Sequence, residues 1–122
     1  MKPKAAIPQL RTTDLDASIR FYTEVLGFEL AFRWQDFYAG ICAGPQTIHL
    51  KLIDGPDPSI PFVRDGSHVH LYVAVDDVRA AADELRQRGV RLTRDLHETP
   101  YRTREISFED PQGHTLYLFQ DL

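Results

Sequence analysis

Residues 68–92, HVHLYVAVDDVRAAADELRQRGVRL, change their period halfway along. From His68 to Val75 the side chains alternate: Val69, Leu71, Val73 and Val75 fall on one face, His68, His70, Tyr72 and Ala74 on the other. That pattern reads as a strand with one face packed under a helix and the other free to line a cavity. Beyond Asp77 the apolar residues Val78, Ala81, Ala82 and Leu85 recur at helical spacing, Asp76 or Asp77 can cap the first turn, and Gly89 supplies the left-handed residue that ends a helix.

The same order of signals stands at residues 5–30, AAIPQLRTTDLDASIRFYTEVLGFEL. Thr13 or Asp14 caps, Leu15, Ile19, Tyr22 and Leu26 form the apolar stripe, and Gly27 stops it. Each helix is expected to run about three turns and to lead into strands. In the first half these are 28–34, 37–43 and 46–53; in the second, 90–94, 103–109 and 114–120. Proline and glycine in "DPQG" (110–113) make a tight turn between the last two. The glycines and prolines of "DGPDPSIPFVRDGS" (54–67) mark a connector. The chain therefore reads as βαβββ, linker, βαβββ: one domain over 1–122, with module one at about 4–54, the linker at about 55–67 and module two at about 68–122.

Composition narrows the function. Hydrophobic residues make up 43% and charged residues 26%, with a formal charge of -4, which suits an ordinary globular protein and argues against nucleic acid or an anionic membrane as partner. A small molecule is the expected ligand. Cys42 is the single cysteine, so no internal disulfide or paired-cysteine metal site can form, and a cytoplasmic location is expected. Its strand-like surroundings, "AGICAG", favour a buried, inert thiol. No stretch of the sequence approaches the ~20 apolar residues of a membrane span, and the N-terminus lacks a signal-peptide core.

"DLDASIRFYTEVLGF", "VHLYVAVDDV" and "FEDPQGHTLYLF", in that order, resemble the vicinal oxygen chelate superfamily, the group of glyoxalases, extradiol dioxygenases and bleomycin-resistance proteins. The resemblance implies an α+β fold, two βαβββ modules whose curved mixed sheets form a concave cavity, in chains that usually pair as homodimers. It also implies four metal positions in the metal-dependent members, which map here to Ile7, His49, His70 and Tyr117. Isoleucine cannot coordinate, tyrosine does so rarely, and two neutral imidazoles alone hold a divalent ion weakly. No metal and no cofactor are therefore expected.

The similarity of "TIHLKL" and "TREISFEDPQGHTLYLF" to the bleomycin-resistance branch points to a drug-like, planar or cationic ligand. The residues expected to face it are Trp34, His49, His70, Tyr117, Ile7, Gln9, Tyr101 and Arg104. The rival expectation is a metal-dependent lyase or dioxygenase using His49 and His70 plus a carboxylate such as Glu105. It turns on the hairpin after residue 103: a three-residue loop with a glycine bulge sets Ser107 opposite Tyr117 and brings Glu105 to the cavity face, whereas an even-numbered loop brings Arg104 and Ile106 there.

Overall fold

The structure is a computed structural model describing residues 1–122. The chain divides into two compact units, Met1–Asp57 and Pro58–Leu122. In the first unit β1 (Gln9–Thr12) is followed by α1 (Leu15–Arg20), which runs on as a wider π-helical stretch, Phe21–Val25, and then by β2 (Glu29–Trp34), β3 (Tyr38–Ala43) and β4 (Gln46–Leu52). The second unit opens with a short helix, α2 (Ile60–Arg64), and repeats the scheme: β5 (Leu71–Ala74), α3 (Val78–Gln87), β6 (Leu92–Glu98), β7 (Thr103–Glu109) and β8 (Thr115–Asp121).

Each unit holds one four-stranded mixed sheet, ordered β1-β4-β3-β2 and β5-β8-β7-β6. The first strand of each lies parallel to the last, and the other pairs are antiparallel. This is the expected βαβββ topology, twice.

The helices form where the caps and stripes place them. Asp14 Oδ1 accepts the Ala17 N–H at 3.0 Å, and Asp77 Oδ1 accepts the Ala80 N–H at 3.0 Å, so each first turn has one of its exposed donors satisfied. Leu15 and Ile19 are buried on the α1 face that meets β3 and β4, Tyr22 is buried in the π-helical stretch that follows, and Val78, Ala82 and Leu85 are buried against the second sheet. Gly27 and Gly89 close the helices at φ of 75° and 82°. At the end of the first helix the Leu26 N–H reaches back five residues to the Phe21 carbonyl at 3.0 Å, the signature of a π turn.

Three boundaries differ from the sequence expectation. The connector holds α2, because Pro61 sits in that helix's first turn, where a missing N–H costs nothing. The second module's strand begins at Leu71 rather than His68: His68 has φ of 61°, a left-handed conformation that breaks an extended run, and Val69 is 77% exposed instead of packed. The strand expected at 90–94 runs instead from Leu92 to Glu98. Since the caps rest on single oxygen atoms, Asp77→Ala should lower stability by about 1 kcal/mol, read as a shift in the denaturant midpoint with the slope unchanged.

Candidate functional site

Strand alternation gives each sheet one face under its helix and one free of it. In the first unit register aligns Gln9, His49, Gly40 and Phe32 in one row across the four strands. The Gln9 side-chain amide donates to the Tyr38 hydroxyl at 2.8 Å, and that hydroxyl lies 2.9 Å from His49 Nδ1. In the arrangement that gives every group a partner, the phenol proton points at His49 Nδ1, and the neutral ring carries its own proton on Nε2. Phe32 stacks on Tyr38 and meets His49 edge-on, with centroids 6.3 and 5.3 Å apart. Its ring occupies the space a side chain at Gly40 would need. Trp34 is 57% exposed and packs edge-to-face on Phe37.

The second unit carries a cleft. The Gly113 N–H donates to the Asp110 carbonyl at 3.0 Å, Asp110 pairs with His114, and Gly113 lies at φ of 93°. The buried Asp110 Oδ1 accepts the Gln112 and His114 N–H groups at 2.9 and 3.0 Å. This is the three-residue loop with a glycine bulge, and it sets Ser107 opposite Tyr117 and Glu105 opposite Phe119. Two rows then cross the sheet: Tyr72, Tyr117, Ser107 and Arg94, and beside it Ala74, Phe119, Glu105 and His97.

These rows floor a cleft of about 440 Å³, walled by Tyr101, Thr99 and Pro100 from the turn between β6 and β7. Glu105 is only 2% exposed. Its Oε2 accepts the Tyr72 hydroxyl and the Thr103 hydroxyl, the latter at 2.8 Å. The Tyr72 ring stacks flat on Phe119, centroids 3.9 Å apart. Loss of hydration, and then donation to Glu105, push the Tyr72 phenol up to about 12, so near neutral pH it stays a proton donor.

The structure places the eight expected ligand residues unevenly. Gln9 and His49 come together in the first unit, with Trp34 farther along the same sheet. Tyr117 and Tyr101 line the cleft of the second. Ile7 and His70 stand just ahead of the strands they were expected to occupy, and Ile7 is exposed. Arg104 alternates with Glu105, is tied to Glu98 at 2.9 Å, and is not among the cleft's walls. Cys42 is half-buried rather than buried. Tyr72, Arg94 and His97 were not singled out from sequence as ligand residues. Tyr72's alternation with His70 was the available signal, whereas Arg94 and His97 follow a strand with bulges that no pattern shows.

The donors at the four family metal positions do not fit a divalent ion. Ile7 has none, and Tyr117 offers no carboxylate. His49 has Nδ1 engaged by Tyr38. His70 Nε2 lies 3.2 Å from the Val63 carbonyl, which can only accept, so one ring nitrogen is committed there. Glu105 does not repair the set: its row lies four residues along the sheet from His70, about 13 Å at strand rise, and within neither unit do three His, Cys, Asp or Glu side chains converge on one point.

The raised Tyr72 pKa makes an alkaline prediction. The native state favours the neutral phenol, so the contribution is complete below pH 10, the phenol's ordinary value, and is lost as pH rises through about 12. Absorbance titration should show one tyrosine ionising late, and Glu105→Gln should bring that step down toward the ordinary range.

A sequence model of the Glyoxalase/Bleomycin resistance protein/Dioxygenase superfamily matches residues 5–118. A lactoylglutathione lyase of Escherichia coli O157:H7 is 31% identical over 124 residues, spanning 92% of this chain and 88% of the relative. The solved glyoxalase/bleomycin resistance protein/dioxygenase from Nocardioides aligns at 25% identity with a TM-score of 0.74, over 100% of this chain and 85% of its own. The bleomycin-binding protein of Streptomyces verticillus, solved with copper(II)-bleomycin, shares the fold at 23% identity and a TM-score of 0.70, over 97% and 96%. No helix of this chain is long and apolar enough to cross a membrane. With two βαβββ units in the expected order and a family match across nearly their whole length, the chain belongs to the Glyoxalase/Bleomycin resistance protein/Dioxygenase superfamily.

Proposed function

We propose that this protein binds a small organic molecule and does so without a metal ion. The observation that carries the proposal is the donor set: of the four positions where metal-dependent relatives would hold an ion, one is an isoleucine and one a tyrosine, which leaves two imidazoles and no carboxylate. What the free sheet faces offer instead is aromatic surface with polar anchors, including Phe32, Tyr38 and His49 in one unit and Tyr72, Tyr101 and Tyr117 in the other. Such rings stack on planar ligands for about 1 kcal/mol each beyond the area they cover. A homodimer in the cytoplasm belongs to the same proposal. The exposed Leu30, Phe32 and Trp34 on edge strand β2 support pairing of copies, since apolar side chains gathered on an edge favour being covered.

A second reading is a metal-dependent lyase or dioxygenase with His49, His70 and a carboxylate such as Glu105; the relative named lactoylglutathione lyase favours its lyase form. Metal analysis of protein purified without chelator separates the two. The expected result is no stoichiometric iron, zinc, nickel or manganese. An equimolar metal that disappears in His70→Ala would overturn the proposal. Trp34 is the only tryptophan, so its emission reports on its own surroundings at the first unit's sheet. Titration with a panel of planar aromatic compounds should quench it saturably for at least one member, and a flat response across the panel counts against binding at that sheet.

A further inference from the structure

Glu105 is buried more deeply than any other acidic side chain, yet one of its oxygens is idle. Both of its hydrogen bonds, from Tyr72 and Thr103, go to Oε2. Oε1 receives none, and no fully buried side-chain nitrogen or oxygen lacks a partner, so Oε1 opens onto the cleft that Glu105 lines. A carboxylate oxygen with little water and no protein donor is a site for a ligand N–H, because the desolvation of the charge is already borne by the fold.

The rest of the wall decides what kind of ligand. Glu98 is paired with Arg104, and His97 is bonded through Nδ1 to the Asp95 carbonyl at 2.8 Å. Arg94 makes no ion pair or side-chain hydrogen bond and lines the same cleft. The cleft therefore offers one open carboxylate oxygen and one unengaged guanidinium. A simple cation would be held at Glu105 and repelled by Arg94, and a simple anion the reverse. Arg94 faces Ser107, two residues from Glu105 along β7, which puts the two backbones about 8 Å apart. Both side chains can reach a single ligand of amino-acid size.

We propose that the Pro58–Leu122 cleft binds an aromatic zwitterion, its ammonium donating to Glu105 Oε1, its anionic group paired with Arg94, and its ring set among Tyr72, Tyr101 and Tyr117. This assignment rests on the ligand-binding reading above and names the ligand class.

Three probes on one skeleton test it: L-phenylalanine (zwitterion), phenethylamine (cation) and 3-phenylpropanoate (anion), titrated by calorimetry and by ¹⁵N NMR. The zwitterion should bind at least roughly tenfold more tightly than either partner, the scale of one charged hydrogen bond, with shifts centred on residues 72, 94 and 105. Glu105→Gln should weaken phenylalanine and phenethylamine by about tenfold and, by removing the repelling charge, leave phenylpropanoate bound at least as tightly as before. Arg94→Ala, a change at an exposed side chain that leaves the core intact, should weaken phenylalanine and phenylpropanoate and leave phenethylamine bound at least as tightly. Equal affinity for the three probes, no binding at those residues, or variants without this selectivity would each overturn the assignment. Metal content and the Trp34 titration use none of these probes, so metal-free ligand binding can stand if the zwitterion assignment falls.

Discussion

The chemistry of the second unit depends on a turn of three residues. Asp110 folds its carboxylate over the N–H groups of Gln112 and His114, and Gly113 takes a backbone angle that a side chain would strain, the more so because a Cβ there would sit 2.7 Å from Ile60 Cγ2. One residue more or fewer in that loop would turn every side chain of β7 to the opposite face. Arg104 and Ile106 would then line the cleft, and Glu105 would lie under the helix, away from its Tyr72 donor on β5.

The two units share a backbone plan but furnish it differently. In the first, a tyrosine links a glutamine amide to a histidine, and the surroundings are aromatic and half exposed. In the second, a tyrosine donates to a buried carboxylate beside an unengaged arginine. Modules on one backbone plan need not carry the same residues, and these two present different surfaces: an aromatic face in one, a carboxylate and an arginine in the other. The superfamily's range of activities fits this freedom, since the strands are specified by the apolar face under each helix and the opposite face is left to vary.

The fold was legible because its signals are local and occur twice. Aspartate caps, helical stripes and glycine stops at 14–27 and 77–89 are short-range features, and the strand patterns after them are strong. What the sequence hid was set by distant partners or by single backbone angles. His68 looks like the start of a strand by alternation, but its backbone is left-handed, with φ of 61°. Pro61 reads as a breaker and serves as a helix start. Four of the eight expected ligand residues were named from positions in the repeat, and two of those, Ile7 and His70, stand outside their strands. Glu105 was visible only conditionally, because its face depends on loop parity, which "DPQG" alone does not declare.

Gly40 is a lever of another kind. Phe32 lies flat over it, filling the room that any β-carbon would claim, and the ring's contacts with Tyr38 and His49 depend on that posture. Position 40 is thus a tuning point for the first unit. An alanine there would tip the aromatic lid off its neighbours while keeping the strand pairing, altering the shape offered to visitors without touching a polar anchor. Descendants of this chain could drift in ligand preference through one codon that contacts no ligand at all.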